Sequence, residues 1–334
     1  MRAVLCEAWG EPEVLRLGEV ETPEPGPGDV RVAVHAAGIN FADILMVAGK
    51  YQEKPAFPFT PGMEAAGVVD AVGSKVTRFA PGDRVLTLPF SGAFAEAALA
   101  GEDSVFKIPD AMDFVTAAGF AVTYGTAQGA LDWRADLQPG ELLLVHGAAG
   151  GAGLAAVEVG KAMGATVIAT ARGRERLDVA QEHGADHGID TAAEDVRVRV
   201  KEIAGEHGKQ GAEVVFDPVG GDLFEASLRA VAWGARLIVI GFAAGKVQQI
   251  PANILLVKNV SAIGYYWGSY RARAPELVAS GYAQLFAWYA AGKLRPHVSY
   301  QLDLAEAGAA LELLKSRKST GKVVLTTGRN TKGP

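Results

Sequence analysis

The chain has 334 residues, of which 49% are hydrophobic and 21% are charged, a balance typical of a globular protein of about two domains. Its net charge of −6 disfavours nucleic acid as the main partner, because nucleic-acid binding needs a basic face. The single cysteine, Cys6, excludes an intramolecular disulfide and a zinc site built from several cysteines. We recognise neither a signal peptide nor an apolar run long enough to span a membrane, and therefore predict a cytoplasmic protein.

The first 120 or so residues are predicted to be rich in β-strands. Short alternating runs such as Val30–Val34 are separated by clusters of proline and glycine, which mark turns. One helix is predicted over Phe41–Ala48, with Asn40 in the N-cap position.

From about Leu142 onwards, strands and helices alternate. The predicted elements are the strands Leu142–His146, Thr166–Ala169, Val214–Asp217 and Arg236–Ile240, and the helices ending at Met163, Arg174–His183 and Leu223–Val231. Such alternation indicates βαβ units and a parallel sheet, as in a doubly wound nucleotide-binding domain. Beyond Ser261–Tyr265 we predict a long helix, a shorter helix and a final strand, at Pro275–Ala290, Leu304–Lys315 and Lys322–Thr327.

A glycine-rich turn joins the first strand of this region to its helix. Gly150 and Gly153 hold the second and third positions of a G-x-G-x-x-G fingerprint, and Ala148 replaces the first. Glycines at such positions let backbone N–H groups and the helix N-terminus approach a pyrophosphate. The predicted dinucleotide contacts in the turn are Ala149, Gly150, Gly151, Ala152 and Gly153. The alternative is a tight strand–helix turn that binds no nucleotide.

The residues after the second strand indicate which dinucleotide is bound. An NAD site places Asp or Glu there, about 20 residues beyond the turn, to bind the ribose 2′-hydroxyl. Here Arg172 and Arg174 follow the strand, and the first acid, Glu175, fits better in the first turn of a helix. Guanidinium groups pair well with phosphate. We therefore predict NADP(H), bound through Arg172 and Arg174. Alternatively, these arginines are the solvated start of a helix.

The six histidines form no convincing cluster of metal ligands, so the sequence predicts no catalytic zinc. Hydride transfer would then depend on positioning, with the acceptor supplying its own electrophilicity.

Motifs along nearly the whole chain resemble one family. They are GINFAD at 38–43, GKY at 49–51, PFTPGMEAAGVV at 58–69, FAPGDRV at 79–85, the glycine-rich turn, VKN at 257–259 and GKVVL at 321–325. This series is similar to the zeta-crystallin-type NADPH:quinone oxidoreductases, the zinc-free branch of the medium-chain dehydrogenase/reductase superfamily. In zinc-dependent relatives a histidine precedes the glutamate of a Gly-His-Glu motif. Here Met63 precedes Glu64, and the zinc-binding cysteine of those relatives, near Asn40, is missing.

The resemblance implies an α/β fold in which a Rossmann doubly wound parallel-sheet domain is inserted into a GroES-like, β-rich catalytic domain. The predicted boundaries are 1–122 for the first part of the catalytic domain, 123–262 for the NADP-binding domain and 263–334 for the second part. The cofactor would lie in the cleft between the domains. Homodimers are common in the family, and Val260–Tyr265 is a plausible edge strand for such pairing.

The resemblance also implies site residues. Asn40, Asp43 and Tyr51 would lie near the nicotinamide and the substrate as catalytic residues. The cofactor would further be lined by Asn40, Thr123, Val219, Ile240, Gly241, Phe242, Tyr265, Tyr266 and Trp267. Three alternatives stay open. Asn40 and Asp43 form a pattern like a helix capping box, the ring of Tyr51 fits a buried position, and the aromatic run at 265–267 fits a core or dimer interface.

The implied activity is direct hydride transfer from NADPH to a quinone, without a metal. Reduction of an activated C=C bond in an enone, alkenal or enoyl thioester is the alternative reaction, and Arg271 and Arg273 are candidates for holding an acyl-CoA. A non-catalytic NADPH-binding protein is an alternative from another class. The expected partner is a small electrophilic acceptor, and neither nucleic acid nor a membrane is expected. No residue stands out as the proton donor, and the proton would come from solvent or Tyr51.

Overall fold

The computed structural model describes residues 1–332, and the chain divides into two compact units. Unit 1 comprises Met1–Val122 and Pro296–Pro334, and unit 2 comprises Thr123–Arg295. Unit 2 ends at Arg295, whereas the sequence analysis predicted that the NADP-binding domain ends at residue 262. Residues beyond 262 belong to unit 2 because Tyr265 and Tyr282 pack closely against Gly129 and Gly125 of the same unit.

The first part of the chain is rich in strands, as predicted, and also contains a long helix. Its elements are β1 Arg2–Leu5, β2 Arg16–Glu19, β3 Asp29–Gly38, α1 Phe41–Val47, β4 Ala65–Val72, β5 Arg84–Thr87, β6 Ala97–Gly101, β7 Val105–Lys107 and α2 Phe114–Gly129. Two 3₁₀ turns occur, at Pro12–Val14 and Glu102–Ser104, and a π turn follows α2 at Ala130–Arg134. The sequence analysis did not predict α2, whose residues are apolar or small on almost every side and show no amphipathic period.

The remainder of the chain alternates between strands and helices. Its elements are β8 Leu142–Val145, α3 Gly151–Ala162, β9 Thr166–Ala171, α4 Arg174–Glu182, β10 His187–Asp190, α5 Val196–Glu206, β11 Ala212–Asp217, α6 Asp222–Ala230, β12 Val231–Val239, α7 Ala252–Lys258, β13 Ser261–Gly264, α8 Gly268–Arg273, α9 Pro275–Ala290, β14 Val298–Asp303, α10 Ala307–Lys315 and β15 Lys322–Thr326, with a 3₁₀ turn at Leu304–Glu306. The predicted long helix, α9, is confirmed at both ends. None of the helices within residues 1–332 is both long and apolar enough to cross a bilayer.

Unit 2 is built on a six-stranded parallel sheet with the order β10-β9-β8-β11-β12-β13. Numbered along the chain, this is the 3-2-1-4-5-6 order of a doubly wound dinucleotide-binding domain. The direction of winding reverses between β8 and β11, and ligands of such sheets bind beyond the carboxyl ends of the strands at that point. The predicted Rossmann domain is therefore confirmed. The sequence analysis missed β10 and α5.

Unit 1 is built on a seven-stranded, mainly antiparallel sheet. Its strands run β14-β15-β3-β4-β5-β7, and β6 also pairs with β3. Because β15 pairs with β3, with Val324 opposite Gly38, the end of the chain is part of the same sheet as its beginning. An apolar cluster packs on this sheet and includes Ile39, Met46, Leu311 and Val323.

Candidate functional site

The glycine-rich turn follows β8 at the point where the winding of the parallel sheet reverses. A Cβ atom at Gly153 would lie 2.2 Å from the carbonyl oxygen of Gly147, so a glycine is required there for α3 to pack on the turn. Gly150 is different. The nearest atom to a Cβ there, the same carbonyl oxygen, would be 3.4 Å away, so the packing of the protein itself does not demand a glycine. The bare backbone at Gly150, directly before α3, is suited to an approaching phosphate.

The other predicted residues of the turn surround this position. Gly151 and Ala152 are the first two residues of α3, a helix of 12 residues, so their N–H groups belong to its positive end. Ala149 is buried in a small apolar cluster with Ala171 and Leu177. Its side chain therefore anchors the turn, and its backbone remains the group that a ligand would contact.

The end of β9 contains no acidic residue. Arg172 is exposed, and among residues 1–332 it forms no ion pair. Arg174 is engaged instead, because its Nε lies 2.7 Å from Oδ1 of Asp178 one turn along α4. Between them, the N–H of Gly173 donates to Oδ1 of Asp190 at 2.9 Å, which fixes the turn at the end of β9 to β10. Arg172 is thus the cation of this turn that is available to an anionic ligand.

The predicted residues after β11 and β12 lie at the same edge of the sheet, because all six strands are parallel. A Cβ atom at Gly147 would be 3.1 Å from a methyl group of Val219, which places Val219 beside the glycine-rich turn. The N–H groups of Ile240 and Gly241 donate to the carbonyl of Asp217 at 2.9 and 3.4 Å. Phe242, the next residue, is 42% exposed.

The aromatic run after β13 divides into two environments. Tyr265 and Trp267 are buried and pack against α2, where Gly129 and Gly125 leave room for their rings. Burial raises the pKa of Tyr265. Tyr266 is 41% exposed. Thr123, predicted as a cofactor contact, is buried in α2. Tyr265 and Trp267 therefore serve as core residues of unit 2, and contact with a cofactor stays a prediction for all four.

The VKN motif at 257–259 has a structural explanation. Nζ of Lys258 donates to the carbonyl oxygens of Leu228 and Val231, at 3.1 and 3.0 Å, and so satisfies the end of α6. Asn259 adopts a left-handed backbone conformation with φ of 54°, which ends α7.

A buried polar cluster in unit 1 comprises Asn40, Glu64 and Lys322. Nζ of Lys322 donates to Oε1 of Glu64 at 2.6 Å, to Oδ1 of Asn40 at 2.9 Å and to the carbonyl of Ile39 at 2.6 Å. Glu64 also accepts from Nδ2 of Asn40 at 2.7 Å and from the N–H of Val122 at 2.6 Å. Glu64 is fully buried and Lys322 is 6% exposed, so each charge is compensated inside the protein.

Neither Glu64 nor Lys322 was predicted as a site residue. A Cβ atom at Gly38 would lie 2.4 Å from Oε1 of Glu64, so the glycine of the GINFAD motif gives that carboxylate its space. The sequence did contain one indication of this cluster: Lys322 directly precedes the buried strand residues Val323–Leu325. A charged side chain there needs a buried partner.

Asp43 lies beside this cluster at the start of α1. Its Oδ2 accepts from the N–H of Asn40 at 2.8 Å, as the capping pattern in the sequence suggested. Asp43 is fully buried, and its Oδ1 has no partner within residues 1–332. Burial raises the pKa of Asp43 to about 7, although the ammonium group of Lys322 acts in the opposite direction. The helix start thus holds a carboxyl group that titrates near neutral pH.

Tyr51 lies just beyond α1. Its N–H donates to the carbonyl of Leu45 at 3.0 Å, and its ring packs partly against the apolar cluster that contains Phe59 and Met63. The ring of Tyr51 is therefore half-buried. Its catalytic role beside the acceptor stays a prediction. Within residues 1–332, no three side chains among His, Cys, Asp and Glu form a group that could hold a metal ion.

Two family models match the chain. One, described as zinc-binding dehydrogenase, matches residues 151–281, and the other, described as alcohol dehydrogenase GroES-like domain, matches residues 26–110. The curated relatives include the quinone oxidoreductase-like protein 2 homolog of Nematostella vectensis, which is 44% identical over 98% of this chain and 89% of its own.

Solved structures are similar over the same extent. The quinone oxidoreductase of Escherichia coli, complexed with NADPH, has a TM-score of 0.90 and 31% identity, covering 98% of this chain and 100% of its own. A 2-haloacrylate reductase has a TM-score of 0.85 and 32% identity, with the same coverage.

We predict that Lys322→Met lowers the free energy of unfolding by about 3–5 kcal/mol at pH 7, because it leaves the buried carboxyl group of Glu64 without a counter-charge. Combining it with Glu64→Gln should restore part of the loss. Urea unfolding followed by circular dichroism measures both effects. The control is Lys315→Met, which removes an exposed ion pair with Glu11 and should cost less than about 1 kcal/mol. Equal losses in the two lysine variants would contradict this prediction.

We also predict that Asp43→Asn changes how stability depends on pH. A carboxyl group whose pKa is raised on folding stabilises the protein most below its unfolded pKa, and that contribution is lost as pH rises through the folded value of about 7. The free energy of unfolding of the variant, minus that of the wild type, should therefore grow by about 2–3 kcal/mol between pH 5 and pH 8. Urea titrations at both pH values test this, and a difference that stays constant would show that Asp43 is ionised throughout.

Proposed function

The chain belongs to the quinone oxidoreductase family of the medium-chain dehydrogenase/reductase superfamily, and from this premise we propose that it uses NADPH to reduce quinones by direct hydride transfer, without a metal. That it is an oxidoreductase follows from the family. The specific cofactor and acceptor are our proposals. The observation that carries the cofactor is a glycine-rich turn before α3 together with Arg172 at the end of β9, which forms no ion pair within residues 1–332. The quinone acceptor rests on the similarity to quinone oxidoreductases.

The proposed cofactor fits the residues present. The bare backbone of Gly150, beside the N-terminus of α3, would let a pyrophosphate approach. Within the described part of the chain, residues 1–332, the guanidinium of Arg172 forms no ion pair, and it would bind a 2′-phosphate where an NAD site would have a carboxylate. The E. coli relative of known structure is complexed with NADPH, which supports the same choice here. When bound, NADPH would supply a hydride.

Reduction without a metal is supported by the donors available in unit 1. The carboxylate of Glu64, which follows Met63 where zinc-dependent relatives have histidine, is already paired with the ammonium of Lys322. All three N–H groups of that ammonium have oxygen acceptors, so a positive charge is already built into the protein there. A thioether beside an occupied carboxylate is a poor set of ligands for zinc.

One hydride and one proton convert a quinone to a hydroquinone. The chain's part in this reaction is to hold the acceptor, exclude water and deliver the proton. We propose that the hydroxyl of Tyr51, or solvent beside it, delivers the proton to the acceptor oxygen. Asn40 and Asp43 would act by holding the start of α1 in place, since both side chains are engaged or buried in unit 1.

Reduction of a C=C bond conjugated to a carbonyl is the second candidate activity. It is favoured by the similarity to a 2-haloacrylate reductase, because a haloacrylate contains a C=C bond conjugated to a carboxyl group. For an acyl-CoA, Arg273 on α8 is a candidate cation, whereas Arg271 lies 5.9 Å from the ring of Trp267 in a cation–π contact.

We further propose a homodimer formed through β13. This strand is at one edge of the parallel sheet, so its outer N–H and C=O groups can pair with a second copy around a two-fold axis. Leu256 and Val257, on α7 just before β13, are 78% and 75% exposed, and Trp233, on the neighbouring strand β12, is 70% exposed. Exposed apolar side chains of this kind are typical of an interface. A cytoplasmic location stays a prediction.

The activity test follows nicotinamide oxidation by absorbance with NADPH and NADH in parallel. The acceptors are 1,4-benzoquinone, an ortho-quinone, an enone, 2-chloroacrylate and a short enoyl-CoA. We expect the quinones to be reduced fastest, with NADPH preferred. Turnover confined to the enone, the haloacrylate or the enoyl-CoA would favour the second activity. Tight NADPH binding with no turnover of any acceptor would instead favour the non-catalytic alternative.

We predict that Arg172→Gln raises the Kd for NADPH about tenfold or more and changes the Kd for NADH less than about twofold, because only NADPH carries the 2′-phosphate. Fluorescence titration measures both constants. Arg174→Gln is the matched control, and it should have a smaller effect because Arg174 is paired with Asp178. If Arg172→Gln weakened both nucleotides equally, the 2′-phosphate would not be its ligand.

For the dimer, we expect light scattering to give twice the chain mass of 34.8 kDa for the wild type and a shift toward the monomer for Leu256→Glu. Val198→Glu is the control, because Val198 is an exposed apolar residue on α5 that lies away from β13 in the sheet order. A wild type that is already monomeric would overturn this proposal.

A further inference from the structure

A buried hydrogen-bonded chain lies directly beneath the glycine-rich turn. His146 is the residue between β8 and the turn, and it is completely buried. Its Nδ1 is 2.9 Å from Oγ1 of Thr170 on β9, and its Nε2 is 2.6 Å from Oγ of Ser227 on α6. Thr170 and Ser227 are also fully buried. Three adjoining elements of unit 2 are thus joined through one imidazole ring.

The protons in this chain can be assigned by counting donors. Oγ of Ser227 donates its only hydrogen to the carbonyl of Leu223, at 2.9 Å. Nε2 of His146 must therefore carry a hydrogen and donate it to Ser227. Nδ1 then accepts the hydroxyl hydrogen of Thr170, and the ring is neutral, in agreement with a pKa that burial lowers. Every member is satisfied in one arrangement, so the chain favours a single geometry.

The chain connects the parts that the proposed function assigns to two different phosphates. His146 immediately precedes the turn proposed to bind the pyrophosphate. Thr170 lies two residues before Arg172, proposed to bind the 2′-phosphate, and its carbonyl also accepts from the N–H of Ala148 at 2.9 Å. Ser227 ties the same ring to α6, which leads to neither phosphate group. The bond between His146 and Thr170 is therefore a side-chain contact that joins the segments leading to the two proposed anion-binding positions, in addition to the backbone bond from Ala148.

We propose that His146 is a positioning residue for cofactor selection. Through Thr170 it holds Arg172 at the distance from the glycine-rich turn at which one nucleotide engages both, and so it sets the preference for NADPH over NADH. This inference rests on the proposed use of NADPH. His146 would not touch the nucleotide. It would act only by fixing the glycine-rich turn and Arg172, which would.

The test compares Kd values for NADPH and NADH by fluorescence titration, together with melting temperature. Thr170→Val replaces the hydroxyl with a methyl group and leaves Nδ1 of His146 without its partner, whereas Thr170→Ser keeps the hydroxyl. We expect Thr170→Val to raise the Kd for NADPH roughly tenfold and that for NADH less than threefold, and Thr170→Ser to retain most of the preference. Ser227→Ala breaks the chain on the side of α6 and should weaken both nucleotides by a similar factor.

The outcomes separate the inference from the proposed function. A wild type that prefers NADPH, with a preference that Thr170→Val leaves intact, overturns the inference alone. The same holds if Thr170→Val lowers only the melting temperature, because His146 and Thr170 would then be merely structural. A wild type that binds the two nucleotides equally well overturns the cofactor proposal and the inference together. Loss of preference in Thr170→Val that returns in Thr170→Ser supports both.

Discussion

The ion pair between Lys322 and Glu64 is the constraint on which unit 1 depends. Burying two charges is costly, and the pair is tolerable only because Asn40, Ile39 and the N–H of Val122 complete its hydrogen bonds. The residues of this network come from distant parts of unit 1. Ile39 and Asn40 follow β3, Glu64 directly precedes β4, Val122 lies in α2, and Lys322 is the first residue of β15. The pair therefore fixes the chain's first and last segments in one arrangement. It also pairs the ammonium group of Lys322 with the carboxylate of Glu64, which follows Met63 where zinc-dependent relatives have a histidine.

Unit 2 meets a different constraint, because the groups that we propose bind the cofactor lie on loops and must be held by the strands that precede them. Parallel strands bring the ends of β8, β9, β11 and β12 to one edge, but backbone pairing alone does not fix the loops beyond that edge. Buried polar groups do so here. Asp217 accepts from the N–H groups of Val219 and Gly220, at 2.8 and 2.9 Å, and His146 joins β8 to β9 and α6. Both units thus use buried polar side chains to position their sites.

The parts of the fold that could be predicted are those with local patterns. The buried strands β8 and β11, the glycine-rich turn and the N-cap of α1 are each recognisable within a few residues. Helix α2 was missed because it is apolar all round, β10 because only Ile189 in it is fully buried, and α5 because its start alternates valine and arginine like a strand. The ion pair between Glu64 and Lys322 could not be predicted from local sequence patterns, because the two residues are 258 positions apart. The motif around Met63 and Glu64 nevertheless indicated that the site lacks a histidine ligand.

The central claim, which rests on the proposed function, is that this oxidoreductase reduces its acceptor without a metal, in a unit where the carboxylate of Glu64 is already paired with Lys322. The most direct measurement takes one chelator-treated sample and determines both its metal content, by plasma mass spectrometry, and its rate of NADPH oxidation with 1,4-benzoquinone. We expect the full rate at a metal content far below one ion per chain, and no increase on adding Zn²⁺. A rate that disappears with the metal and returns with Zn²⁺ would contradict the account.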